Sequence, residues 1–104
     1  MVYPALYEGA GLPTLEAMAC GAPVITTNTP AISEMVGDKA RLFSPADFHT
    51  LAQHIVELLA TPAARESMSR AGIHHAAQFS WERAGRETLE TYQKALGIKA
   101  AAML

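Results

Sequence analysis

Positions 7 to 16 read Tyr-Glu-Gly-Ala-Gly-Leu-Pro-Thr-Leu-Glu, and no other stretch restricts the fold as much. The six residues before it, Met-Val-Tyr-Pro-Ala-Leu, form a short apolar strand candidate. Gly9 and Gly11 bracket Ala10, so Tyr7 to Gly11 reads as a loop. Pro13 has the fixed φ that suits a first helical turn, and Thr14 to Cys20 continues as a helix. Gly21 then fits the helix end. Pro23 to Thr27 is a β-branched run too short for a helix, and it fits a buried parallel strand. A strand that feeds a glycine loop, a helix and a second buried strand requires a layered α/β arrangement.

The remaining pattern is mostly helical. Asn28 to Pro30 turns the chain, Ile32 to Val36 suits one helical turn stopped by Gly37-Asp38, and Ala40 to Phe43 reads as a third strand. Asp47 can cap a helix with apolar positions Leu51, Ile55, Leu58 and Leu59 on one face. Thr61-Pro62 starts another helix, running to about Ala77. Ser80 caps a last one with Trp81, Ala84, Leu89, Tyr92 and Leu96 in a stripe, and residues 98–104 are expected to fray. The predicted fold is α/β: a partial Rossmann-like parallel sheet of about three strands, flanking helices and a helical C-terminal half. Residues 1–97 form one unit, expected to begin partway through a larger domain. So small a sheet leaves an edge open to pairing with another chain.

Bulk properties narrow the function. The 104 residues carry eight Lys and Arg with no cluster and a net charge of −2, which argues against nucleic-acid binding and a polybasic membrane surface. Cys20 is the sole cysteine, so the chain has no internal disulfide, and this fits a reducing compartment. No run of eighteen apolar residues is present to span a bilayer. The expected location is cytoplasmic, with peripheral attachment to the inner face of a membrane open to the full-length protein.

The glycine loop carries the chemistry. The first N–H groups of a helix have no intrahelical partner and bear partial positive charge, which attracts phosphate. Gly9 and Gly11 let a ligand approach the backbone, and Thr14 can add a hydroxyl donor. Glu8 and Glu16 flank the loop. Next to phosphate they would repel, but a carboxylate accepts hydroxyl hydrogen bonds well. Phosphate in the middle with sugar hydroxyls at each end describes a nucleotide-sugar. A dinucleotide-binding loop would instead place a third glycine where Thr14 stands and an acidic residue after the next strand, which ends Thr26-Thr27-Asn28.

Glu8 to Glu16 resembles the glutamate, seven residues, glutamate motif of the group 1 (family 4-like) retaining glycosyltransferases of GT-B fold. Glu16 to Ile25, Ile32 to Asp38 and Phe79 to Arg83 are similar to later blocks of that family, in the same order. The likeness runs from about residue 3 to 96. It implies a chain from the C-terminal portion of a nucleotide-sugar-binding domain. It also implies glycosyl transfer from a nucleotide-diphosphate sugar, with retention and without metal or other cofactor; the chain has no Asp-x-Asp pair. By this resemblance Glu8 is the catalytic residue, contacting hydroxyls of the transferred sugar. Gly9, Ala10 and Gly11 lie against sugar and phosphates, Ala10 replacing a bulky aromatic. Leu12 to Thr14 meet the pyrophosphate, and Glu16 binds the ribose. An N-terminal domain for a glycan, lipid or small-molecule acceptor, and the basic residues that hold the pyrophosphate, belong to family members outside this length. The chain alone is therefore expected not to turn over.

Other residues have plainer readings. Cys20 is expected to be a small buried residue. Adjacent His74 and His75 point in different directions on a helix and read as solvated, while His49 and His54 are poorly spaced for a metal. Trp81 and Tyr92 are expected in core contacts rather than as a sugar-stacking platform, although the resemblance implies that the last helix packs back across to another domain and so leaves part of the stripe open here; Glu34 and Asp38 are expected at a turn. The rival function is a non-catalytic module in which the incomplete sheet associates with another chain.

Overall fold

The computed structural model describes residues 1–7 and 9–97; Glu8 and the segment 98–104 lie outside the described residues. The elements are β1 (Val2–Tyr3), α1 (Leu12–Ala19), β2 (Ile25–Thr27), α2 (Pro30–Val36), β3 (Arg41–Phe43), α3 (Phe48–Ala60), α4 (Pro62–Ala76) and α5 (Trp81–Leu96). The strands form one parallel sheet in the order β1-β2-β3, with Val2 opposite Ile25 and Thr27 opposite Phe43. The α/β class, the three parallel strands and the helical C-terminal half are as the sequence predicts.

Local chemistry accounts for most boundaries. Proline occupies the first turn of α1, α2 and α4, where a missing N–H costs nothing. Asp47 caps α3 by accepting from the Thr50 N–H, and Ser80 caps α5 by accepting from the Arg83 N–H. At the end of α1, the Gly21 N–H donates to Met18 O and the Ala22 N–H to Ala17 O, both at 2.9 Å. This paired closure needs a left-handed residue, and Gly21 has φ +83. Several predicted lengths change, the second strand keeping only Ile25–Thr27 of Pro23 to Thr27 and the third Arg41–Phe43 of Ala40 to Phe43. The first strand shrinks from six residues to Val2–Tyr3, and the predicted single turn at Ile32 grows into α2, which starts at Pro30.

The core is split by β2. Consecutive residues of extended chain face opposite sides. Val24 joins Met18, Ile32, Val36 and Ala76 in one cluster, and Ile25 joins Phe43 and Leu58 in the other. Helix α4 lies directly on α1: a Cβ on buried Gly72 would stand 3.4 Å from Met18 Cγ. His75, expected to be solvated, is half-buried, its Nε2 2.8 Å from Met35 O, so it ties α4 to α2. His54 is likewise half-buried, with Nε2 3.0 Å from Leu42 O.

Four expectations about burial fail. Cys20 is exposed, because it follows the last inward position of α1, Met18. Leu59 is 71% exposed, since α3 packs Leu51, Ile55 and Leu58 against the core and leaves Leu59 off that face. Trp81 and Tyr92 are 84% and 62% exposed, because the one buried residue of α5 is Gln93, off the apolar stripe.

Met18 is 1% exposed and sits where α1, α4 and the sheet meet. Met18→Ala should lower unfolding stability by about 2–5 kcal/mol, read as a fall in the urea midpoint. A second expectation concerns acid. The Thr50 hydroxyl and then the Thr50 N–H, both donating to Asp47, hold its carboxyl below the ordinary 3.8. A depressed folded-state pKa gives stability that is present above the unfolded pKa and lost as pH falls through the folded one. Thermal melts of Asp47→Ala should therefore separate from those of the unmodified chain at neutral pH and converge on them as pH falls below the ordinary carboxylate range.

Candidate functional site

The exit from β1 is held by side chains of β2. Thr26 Oγ1 donates to Tyr3 O at 2.8 Å, and Thr27 Oγ1 donates to Ala5 O at 2.5 Å. Both threonines are buried, so their hydroxyls need partners, and the carbonyls of the departing chain supply them. The chain then crosses the carboxyl end of the sheet, with Leu6 and Tyr7 exposed at 77% and 89% and Gly9 and Ala10 also exposed. In an open parallel sheet this end is where ligands bind.

Gly11 closes the loop. It is buried with φ +68, and a Cβ there would stand 3.0 Å from Ile32 Cγ1. Conformation and space thus both require glycine. Thr14 folds back on it: the N–H and the Oγ1 both donate to Gly11 O, at 3.0 and 2.5 Å. Thr14 is 0% exposed, so its hydroxyl shapes the helix start from within and does not face solvent as a ligand donor would. Pro13 has no N–H. Among the N-terminal amides of α1, those without an intrahelical acceptor are therefore Gly11 and Leu12.

Leu12 and Glu16 are exposed on α1, four residues and about 6 Å apart along the axis. Both line a groove of about 370 Å³ whose opposite wall is the start of α5, with Trp81 and Arg83. Arg83 is engaged within its own region: Nε donates to Glu87 Oε1 at 2.9 Å and Nη1 to Gln78 O at 2.7 Å, and the guanidinium lies 5.9 Å from the Phe79 ring centre. Phe79 in turn meets His75 edge-on at 5.3 Å.

The structure thus gathers Gly9, Ala10, Gly11, Leu12, Thr14 and Glu16 into one loop and helix start, with Thr14 turned inward. Glu8 lies outside the described residues. The α5 wall was not anticipated; the one sequence signal for it was an aromatic residue immediately after a capping serine, at the start of an exposed helix. Among the described residues, no three of His, Cys, Asp and Glu gather as a metal site would need. None of the described helices is long and apolar enough to cross a membrane.

Gly11→Ala tests the loop. The left-handed backbone should cost about 1–2 kcal/mol, and crowding against Ile32 adds to it. The expected result is a lower melting temperature together with weaker ligand binding by calorimetry than in the unmodified chain.

Comparison with known proteins gives the loop its context. The chain is 41% identical over 92 residues to O-antigen chain mannosyltransferase B of Escherichia coli, covering 88% of this chain and 24% of that protein. It is 36% identical over 99 residues to D-inositol 3-phosphate glycosyltransferase of Paenarthrobacter aurescens, covering 92% and 24%. A solved structure, sucrose-phosphate synthase from Thermosynechococcus elongatus, superposes with a TM-score of 0.78 at 31% identity, over 92% of this chain and 25% of that one. The chain spans about a quarter of the length of each of these relatives. The family model for glycosyl transferases group 1 matches residues 1–75, and the chain belongs to that family.

Proposed function

We propose that residues 1–97 are the C-terminal portion of a GT-B nucleotide-sugar-binding domain, acting in glycosyl transfer from a nucleotide-diphosphate sugar. The observation that carries this reading is the glycine loop and α1 start at the carboxyl end of a parallel sheet, with Glu16 exposed one turn beyond Leu12. The diphosphate lies at the Gly11 and Leu12 amides, where the helix dipole favours negative charge. Glu16 accepts hydrogen bonds from ribose hydroxyls. Glu8 is, by its motif, the residue for hydroxyls of the transferred sugar, and the backbone of Gly9 and Ala10 lies against that sugar. In the transfer, the bond from the anomeric carbon to the diphosphate oxygen breaks. A bond from an acceptor hydroxyl oxygen to that carbon forms on the same face, the hydroxyl proton passing to the departing diphosphate, without a metal. The helix start stabilises charge on the departing diphosphate.

The acceptor, whether glycan, lipid or small molecule, is bound by an N-terminal domain of a longer protein, and the basic side chains that complete diphosphate binding come from the first half of its C-terminal domain. The chain alone accordingly binds donor without turnover. The mannosyl, inositol-phosphate and sucrose-phosphate names of the relatives make a phosphorylated or hydroxyl-rich acceptor the class to try first. The working location is cytoplasmic, peripheral to a membrane in the longer protein. A second reading rests on the sheet. Strands β1 and β3 are both at its edges, with Val2 41% exposed, so the chain can associate through an edge instead.

The test is calorimetric titration with UDP-, GDP- and ADP-sugars. Saturable binding of one donor is expected, weakened about tenfold or more by Glu16→Ala through loss of hydrogen bonds to a charged group. A folded chain that binds no donor at millimolar concentration and sediments as a dimer would favour the edge-pairing reading.

A further inference from the structure

The loop that precedes α1 runs between two fixed points. The later one is Gly11, buried with φ +68, whose carbonyl accepts from both the N–H and the hydroxyl of Thr14. The earlier one is set from β2. The paired register of β1 ends with Tyr3 opposite Thr26, and Thr26 Oγ1 donates to Tyr3 O within that register. Thr27 reaches further along the chain. Its Oγ1 donates at 2.5 Å to the carbonyl of Ala5, which lies past the last paired position. Leu6, Tyr7, Gly9 and Ala10, the described residues between the two points, are all exposed. Thr27 itself is 1% exposed, so its hydroxyl does not face a ligand and acts on the loop only through Ala5.

The two fixed points serve different parts of the donor. In the reading above, the diphosphate and ribose lie at the Gly11 and Leu12 amides and at Glu16, on the helix side of Gly11, where buried Thr14 and Met18 hold α1. The transferred sugar lies at Glu8, Gly9 and Ala10, on the Ala5 side. Without the Thr27 hydroxyl, the unrestrained stretch grows from Leu6–Ala10 to Pro4–Ala10. A ligand that needs this stretch in one conformation must then order it on binding, which lowers its affinity. A ligand seated wholly beyond Gly11 meets no such cost.

We propose that Thr27 is a positioning residue for the sugar end of the donor: its buried hydroxyl, acting through the Ala5 carbonyl, presets the loop that meets the transferred sugar and leaves the diphosphate end unaffected. This rests on the donor-binding reading above and adds to it a side chain of the central strand that touches no ligand.

The full chain is titrated calorimetrically with matched pairs: UDP-glucose and UDP, GDP-mannose and GDP, ADP-glucose and ADP. The pair that binds is then carried to three variants, each checked for folding by far-UV circular dichroism. Thr27→Val keeps the side-chain shape and drops the hydroxyl, Thr27→Ser restores the hydroxyl, and Thr26→Val removes the bond that lies within the paired register. Thr27→Val should weaken the nucleotide-sugar about two- to tenfold, the net worth of one hydrogen bond, with its nucleoside diphosphate unchanged. Thr27→Ser should recover most of the loss, and Thr26→Val should leave the ratio of the two affinities as it was. Equal weakening of both ligands by Thr27→Val marks a merely structural role and overturns the proposal, as does an unchanged ratio. A ratio shifted as far by Thr26→Val overturns the assignment to Thr27. Amide hydrogen exchange of the unmodified chain gives a reading that depends on no variant. The nucleotide-sugar should slow exchange at Leu6, Tyr7, Gly9 and Ala10 more than its nucleoside diphosphate does, and equal slowing by the two overturns the proposal while the donor reading stands. Absence of binding by any of these ligands to the folded chain overturns both.

Discussion

Two threonine hydroxyls on the central strand hold the functional end of the molecule in place. Strand β1 is two residues long, and its paired register ends at Tyr3. Past that point the chain would leave the sheet without restraint. Thr26 and Thr27 extend the hold by donating to Tyr3 O and to Ala5 O. Strand β2 can do this because it is buried throughout, so its own hydroxyls must be satisfied inside the protein. The carbonyls that satisfy them lead into the glycine loop. Burial of polar groups in the middle strand and restraint of the loop are therefore one arrangement.

Helix α1 carries that restraint to the rest of the fold. Its inward residues, Thr14 and Met18, alternate with the exposed Leu12 and Glu16, so one helix has a packing face and a chemical face. On the packing face, Gly72 lets α4 approach the Met18 side chain closely. Helix α4 then reaches α2 through His75 and Met35 O, and α2 returns to the loop through Ile32, which fills the space beside Gly11. The loop conformation is thus enclosed by a ring of contacts that begins and ends at α1.

Much of this was legible in the sequence, and the division follows physical range. Features set within a few residues were readable: the prolines opening α1 and α4, the Asp47 and Ser80 caps, and the glycine closing α1. The buried strand at Ile25 to Thr27 was readable because an unbroken β-branched run has few other uses. Features set by distant partners were not. An apolar stripe along α5 shows that the helix is amphipathic, but not which residue another element covers, and Gln93 is the buried one. Thr14 is the local exception: its hydroxyl turns back onto Gly11, three residues away, yet a threonine there reads equally well as a free donor. The groove wall at Trp81 depends on where α5 starts relative to α1, which no local pattern encodes. Glu8 rests on its motif alone.

The anchoring of α5 is uneven, and this bears on how the molecule breathes. Its first turn is tied down by the Ser80 cap, by Arg83 on the Gln78 carbonyl and by Phe79 against His75. Towards its other end, Thr91, Tyr92, Lys94, Ala95 and Leu96 are exposed around Gln93. Amide hydrogen exchange in such a helix proceeds by local opening from the weakly packed end, with a free energy well below that of global unfolding. Unwinding from Gly97 back towards Leu89 disturbs no contact of the first turn. The end of α5 that borders the groove can stay ordered while the distal turns open and close on their own.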